Sequence, residues 1–326
     1  MNNVALFLSV LLIKWKLFCF DREKRKRRLT EIILEIFGDV RGKVYFCKAK
    51  KTTTNKTLKM KKSVLFCLLL LCALGVQAKT ARQFTIYFHA DSSANVVCFL
   101  PENPCGKAIV GVPGGGYSVL SNTHEGTMAS EWLNEKGIAY FVINYRLPNG
   151  DRTKPMSDVQ QTIRMVRDSA EVWGINPKCV GVMGFSAGGH LASVVSTHSD
   201  DAVRPDFSIL FYPVISMDEK VSHKYSCINF LGEEGQKDPE LVKKYSMMNV
   251  VKKGVTPPAI ILTASDDNLV PPITNGVAYY TAMREAGIEC TMYIYPSGGH
   301  GFGFGPWFKY RNQLLTELSN WLELRK

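Results

Sequence analysis

Several familiar signatures are missing from this 326-residue chain, and each absence removes a class of function. No GxGxxG and no GxxxxGK[ST] run occurs, so its glycine-rich stretches are not read as nucleotide cradles. Nine cysteines are present, yet none form a Cys-x-x-Cys pair or a Cys/His cluster with zinc-ligand spacing, and no metal site is expected. No apolar run reaches the roughly 20 residues that span a bilayer. Val4–Ile13 is cut by Lys14 and Lys16, and Val64–Val76 is too short, so no stable membrane insertion is expected. Internal repeats and Pro/Gly/Ser-rich linkers are also absent after residue 78, which argues for one domain there. Charge of one sign is lacking where it would matter. The chain carries a net +11, but residues 1–78 hold 17 of the 40 basic and 5 of the 29 acidic side chains. The remaining 23 basic and 24 acidic residues leave 79–326 at −1, without the basic footprint that nucleic-acid binding requires.

Residues 60–78 read as a secretory leader. Lys61 and Lys62 give a positive start, an apolar stretch follows, and Val76-Gln77-Ala78 places small residues at the −3 and −1 positions of a cleavage site. Cleavage is expected after Ala78, with export to the periplasm or beyond. A leader of this kind belongs at an N-terminus, so Met60 is read as the start and residues 1–59 as a misassigned extension. Five cysteines remain in 79–326, an odd number that leaves at least one unpaired. Cys98 and Cys105 flank Pro101-Glu102-Asn103-Pro104, and either a hairpin disulfide or free buried thiols fits that spacing.

Along 79–326, compact apolar segments alternate with amphipathic ones. Phe84–His89, Asn95–Leu100, Ala108–Val112, Ile138–Tyr145, Cys179–Met183, Phe207–Tyr212, Ala259–Thr263 and Cys290–Tyr295 read as strands. Ser157–Trp173 reads as a helix, with a Ser157/Gln160 capping box and Val159, Ile163, Val166 and Ala170 on one face. Met128–Leu133 lies in another helix, and Pro272–Ala286 and Pro306–Arg325 are two more. The last of these turns Leu314, Leu318, Trp321 and Leu322 inward. This alternation predicts an α/β fold, a mostly parallel sheet with helices on both faces. The first two strands have no helix between them and are expected to pair antiparallel at one edge. Residues 215–255 are too long for an ordinary connection and are read as an insert, with short helices such as Pro239–Tyr245, that partly roofs the active site.

The chemistry centres on Gly184-Phe185-Ser186-Ala187-Gly188, a G-x-S-x-G between a predicted strand and a predicted helix. That context makes it a nucleophile elbow and Ser186 the candidate nucleophile. A serine hydroxyl needs a base. Of six histidines, His300 alone sits on a glycine-rich loop between the last strand and the last helix. His190, on the helix after the serine, is read as structural. An orienting carboxylate is expected on the loop after Ala259–Thr263, where Asp267 is preferred to Asp266. Serine, aspartate and histidine then follow in the order of the α/β-hydrolase fold, 81 and 33 residues apart. Pro113-Gly114-Gly115-Gly116-Tyr117 follows another strand and can supply an oxyanion hole from Gly115 and Gly116, together with the Ala187 N–H. Tyr117 and His124 are candidate substrate contacts.

Six motifs in sequence order carry a family resemblance: Pro113-Gly114-Gly115-Gly116-Tyr117, Tyr145-Arg146-Leu147-Pro148, Gly184 through His190, Tyr212-Pro213-Val214, Asp267-Asn268-Leu269-Val270-Pro271 and Gly299-His300-Gly301-Phe302-Gly303. The chain resembles the secreted bacterial acetylxylan and feruloyl esterase-like branch of the α/β-hydrolases over nearly all of 79–326. Pro113 stands where related motifs have histidine, which weakens any analogy to lipases. The resemblance implies a serine carboxylic-ester hydrolase with no cofactor, acting on acyl groups of plant-polysaccharide sugars, its substrate a small-molecule or oligosaccharide ester. Members of this branch are also labelled xylanases, but glycoside cleavage normally uses two carboxylates flanking the bond. A peptidase or formamidase on the same fold, and a non-catalytic secreted carbohydrate-binding protein, are the two rival readings. N-terminal sequencing of the exported protein should return Lys79, and a mature terminus far from Lys79 would contradict the leader assignment.

Overall fold

The structure, a computed structural model, describes residues 82–89 and 91–325. The leader and the segment before it lie outside these residues. Strands β1 (Arg82–Phe88), β2 (Ala94–Leu100), β3 (Gly106–Val112), β4 (Ala139–Asn144), β5 (Ile175–Phe185), β6 (Ser208–Phe211), β7 (Ala259–Ala264) and β8 (Cys290–Tyr295) form one sheet. Their spatial order is β1-β2-β4-β3-β5-β6-β7-β8. The β1/β2 and β2/β4 pairs are antiparallel, and every other pair is parallel. The antiparallel edge expected from the sequence is present, and it extends one pairing further than expected.

Period-two patterning splits the core into two layers. Val110, Val112, Val180, Val182 and Ile261 point to one face. There they meet Val159, Ile163 and Val166 of helix α2 (Thr153–Asp168) and Leu191, Val194 and Val195 of helix α4 (Ala187–His198). Ile109, Met183, Ile260 and Leu262 point to the other face. They meet Leu133 of α1 (Ser130–Glu135) and Leu314, Leu318, Trp321 and Leu322 of α9 (Arg311–Glu323). Each such side chain, fully buried, contributes about 1.5–3 kcal/mol. The short α3 (Ala170–Trp173) continues from α2 after Ser169 and stacks Trp173 on Phe141, with centroids 5.2 Å apart.

Two expectations need correction, and one open choice is resolved. Helix α2 begins at Thr153, so the Ser157/Gln160 capping box does not form. Ser157 lies inside the helix and its hydroxyl donates to the Lys154 carbonyl at 2.8 Å, while the Gln160 amide reaches Ser199. Asp151 instead forms a turn ahead of the helix, accepting from the Thr153 N–H at 3.0 Å. The last helix begins at Arg311 rather than Pro306, because Phe302, Phe304 and Phe308 are buried in the loop before it. Cys98 and Cys105 do not pair: β2 bonds to β1 and β4 rather than to β3, which leaves Cys98 inside the sheet and Cys105 exposed.

The 215–255 insert holds α5 (Lys224–Leu231), α6 (Glu233–Gln236) and α7 (Pro239–Tyr245). Asp238 caps α7 by accepting from the Glu240 and Leu241 N–H groups, with proline at the first helical position. The two ends of the insert close on each other: Met247 N–H donates to the Ile215 carbonyl and Met217 N–H to the Ser246 hydroxyl. Asn275, fully buried on the π-helical turn Ile273–Val277 ahead of α8 (Ala278–Glu285), accepts from the Ile215 and Ser216 N–H groups.

His190 joins the insert to the centre of the fold. Its Nε2 lies 2.8 Å from the Tyr245 carbonyl, which can only accept, so Nε2 carries the proton. Its Nδ1 then accepts from the Tyr117 hydroxyl at 2.8 Å. One imidazole thus bridges α4, the glycine-rich loop and the insert, which is the structural role expected for it. Burial holds it neutral and lowers its pKa from 6.5 to about 4. The unfolded chain therefore binds the proton more readily, and the fold loses stability as pH falls from about 6.5 to about 4. The loss is about 3 kcal/mol at most. Thermal unfolding of the wild type should weaken over this window more steeply than that of His190→Gln, and equal slopes would contradict this coupling.

Candidate active site

Strand β5 runs into α4 through a single residue, Ser186, held at φ 52 and ψ −120. A non-glycine residue in that region costs about 1–3 kcal/mol and persists only where its surroundings enforce it. Here Ser186 N–H donates to the Phe211 carbonyl at 3.0 Å, and its own carbonyl accepts from His190 and Val214. The flanking glycines are steric requirements. A Cβ on Gly184 would collide with the Gly188 carbonyl, and one on Gly188 would collide with the carbonyls of Val112 and Pro113. The strand, the glycine-rich loop and the helix can therefore meet closely enough to push Ser186 out at the helix N-terminus, where developing negative charge is favoured.

His300 reaches this serine from the loop after β8. Its Nε2 lies 2.8 Å from Ser186 Oγ, and its Nδ1 lies 2.7 Å from Asp267 Oδ2. A carboxylate can only accept, so Nδ1 carries the proton and Nε2 accepts from the serine hydroxyl. Asp267 is fixed in turn: its Oδ1 accepts from the Leu269 and Val270 N–H groups at 3.0 and 2.9 Å. Asp266 faces the other way and accepts from the Gly299 and Gly298 N–H groups at 2.8 and 3.2 Å, clamping the loop that carries His300. These backbone bonds hold its carboxyl below the usual carboxylate range. Tyr212 packs its ring against the His300 imidazole, with centroids 4.7 Å apart.

Ser186 and His300 open into a cavity of about 370 Å³, also lined by Gly115, Gly116, His124, Glu125, His223, Tyr225 and Leu269. The glycine-rich loop passes so near the serine that a Cβ on Gly114 would lie 3.0 Å from Ser186 Cβ. Ala187 is fully buried and offers the site only its backbone, whose N–H has no intrahelical partner at the first turn of α4. His124 lines the cavity, and its ring packs against Trp307. Tyr117 does not line it. Its φ of 60 turns the ring inward, it is 2% exposed, and its hydroxyl is bound to His190, so it is not placed to contact a substrate. The insert contributes His223 and Tyr225 to the wall, and so reaches the site. Burial and the neighbouring His300 hold the His223 imidazole below its ordinary pKa, and its Nδ1 lies 2.7 Å from the Ser226 hydroxyl.

Sequence reasoning missed Glu125, His223 and Tyr225. None stands in a periodic pattern, and only the folded chain brings them beside the serine. The one available signal was an acidic residue in the loop segment Thr123-His124-Glu125-Gly126, which is weak.

A parallel sheet with a serine on a strained strand-to-helix turn and a histidine from the loop after the last strand defines the α/β-hydrolase fold. The BD-FAE family model matches residues 98–280, and the chain belongs to that family. It is 67% identical over 255 residues to an acetylxylan esterase of Xylanibacter ruminicola, covering 78% of this chain and 53% of that protein. It is 32% identical over 205 residues to endo-1,4-beta-xylanase B of Butyrivibrio fibrisolvens, covering 58% of this chain and 31% of that protein. The chain thus spans about half, or less, of these curated relatives. Among solved structures, an acetyl ester-xyloside bifunctional hydrolase from Caldicellulosiruptor lactoaceticus superposes with a TM-score of 0.66 at 32% identity, covering 76% of this chain and 98% of that one.

The two adjacent aspartates make a sharp test. Asp267→Asn should slow labelling of Ser186 by a fluorophosphonate probe by about 10⁴-fold, as loss of an orienting carboxylate does. Asp266→Asn, which only loosens the loop, should slow it by less than about 10-fold. Equal losses would contradict the assignment of Asp267.

Proposed function

We propose that residues 79–326 form a serine carboxylic-ester hydrolase that removes acetyl or feruloyl groups from plant-polysaccharide sugars, after export directed by residues 60–78. The observation that carries this reading is the hydrogen-bonded row Ser186–His300–Asp267 opening into the cavity. His300 Nε2 takes the hydroxyl proton as Ser186 Oγ attacks the ester carbonyl, and Asp267 stabilises the imidazolium that forms. The N–H groups of Gly115, Gly116 and Ala187 are assigned to the developing oxyanion. As the ester C–O bond breaks, His300 gives that proton to the departing sugar oxygen, then activates a water that releases the acid from Ser186. Every proton in this sequence moves through side chains of this chain, and no cofactor is invoked.

Two relatives carry xylan- or xyloside-cleaving names, which makes glycoside hydrolysis the competing chemistry. That chemistry places two carboxyl groups on opposite sides of the bond, about 5–9.5 Å apart. The cavity wall holds one, Glu125, while Asp267 lies 2% exposed behind His300. This favours ester cleavage. Similarity to the X. ruminicola acetylxylan esterase supports acetyl groups as the first substrates to try. Ser186→Ala should lower acetate release from acetylated xylan by at least about 10⁴-fold. Measured beside ferulate release from feruloylated arabinoxylan, this also ranks the two acyl groups. Substantial acetate release by Ser186→Ala would refute the proposal.

A further inference from the structure

Glu125 is a carboxyl group with too few partners. It is 3% exposed, yet it lines the same cavity as Ser186 and His300. The point where a Cβ on Gly114 would sit is 2.5 Å from Glu125 Oε2 and 3.0 Å from Ser186 Cβ, so the carboxyl group and the nucleophile flank one narrow gap beside the glycine-rich loop. None of the ion pairs among the described residues includes Glu125. The Tyr212 hydroxyl lies near Glu125 in the buried layer, and its oxygen accepts from the Gly303 N–H at 2.9 Å. A carboxylate offers about four acceptor sites, and a buried acceptor without donors is costly.

We propose that Glu125 is a specificity-determining residue that accepts hydrogen bonds from a free sugar hydroxyl adjacent to the ester being cleaved. This deepens the esterase reading and rests on it. The chemistry selects the alcohol side of the substrate. An acetyl group has no donor, and the phenol of a feruloyl group lies at the far end of a rigid arm. A sugar hydroxyl on the carbon next to the esterified one is a donor within reach of the reacting carbonyl. The wall continues in His124, whose ring packs against the 63%-exposed Trp307. A site built to bind a hydroxyl rejects an analogue without it, because the buried acceptor is then left unpaired. An ester of a sugar acid meets the opposite sign of selection, since its carboxylate would face Glu125.

The test compares a methyl xyloside bearing one acetyl group beside a free hydroxyl with the analogue in which that hydroxyl is replaced by hydrogen. The wild type should favour the first in kcat/KM by roughly 10-fold or more. In Glu125→Gln that preference should fall to within about 2-fold, with the change in KM larger than the change in kcat. Loss of the same factor on both esters, with the preference intact, would overturn the proposal and make Glu125 a scaffold residue. Calorimetry of Ser186→Ala with methyl xyloside and its deoxy analogue provides a second readout that needs neither turnover nor a Glu125 variant that folds. Tighter binding of the hydroxylated sugar is expected, and equal binding overturns the proposal. If the wild type cleaves neither ester, the esterase reading falls, and the binding comparison alone decides the role of Glu125.

Discussion

Ser186 occupies a backbone conformation that serine adopts only when forced, and much of the protein is arranged to force it. Strand β5 delivers the residue and α4 carries the chain away. The carbonyl of Phe211 on the neighbouring strand accepts its N–H. The glycines at 184 and 188 let the helix approach the strand and the glycine-rich loop more closely than any side chain would allow. The strain of about 1–3 kcal/mol is small against the many apolar side chains that the two core layers bury. It keeps Ser186 at the cavity wall at the end of the sheet, where the loops after β3, β7 and β8 converge.

Those loops are positioned by polar groups, three of them buried and one, Asp266, exposed, each with its partners accounted for. Asp266 holds the His300 loop, Asp267 holds the imidazole, Asn275 ties the insert to the segment after Asp267, and His190 ties the insert and the glycine-rich loop to α4. Such groups are expensive when unpaired, so each specifies one arrangement rather than merely adding stability. Glu125 departs from this pattern. It is about as buried as Asp267, Asn275 and His190, yet the protein leaves most of its acceptor capacity toward the cavity, which gives it a natural role toward a substrate instead of toward the scaffold.

What could be read from the sequence follows from the range of the forces involved. Strand and helix positions were legible because period-two and 3.6-residue apolar patterns are local. That Ser186, Asp267 and His300 lie side by side was legible because the elbow has a local steric signature and the other two follow it in a fixed chain order. The choice of Asp267 over its neighbour was also available, although only the structure shows what Asp266 does instead. Helix starts were less legible: the Ser157/Gln160 spacing matched a capping box, but tertiary packing carried the helix one turn further back to Thr153. Tyr117 was misplaced because its direction depends on a positive φ and on His190, 73 residues away. Glu125, His223 and Asn275 left almost no local trace, since their partners are distant in the chain.

The central claim is that Ser186 carries the acyl group between two half-reactions. Mass spectrometry of enzyme mixed briefly with an acetylated xyloside and quenched in acid tests it most directly. One acetyl group should appear on the peptide containing Ser186 and should decay as free acetate is released. Rapid acetate release with no acetyl group ever found on Ser186, or with the group on another residue, would contradict the account.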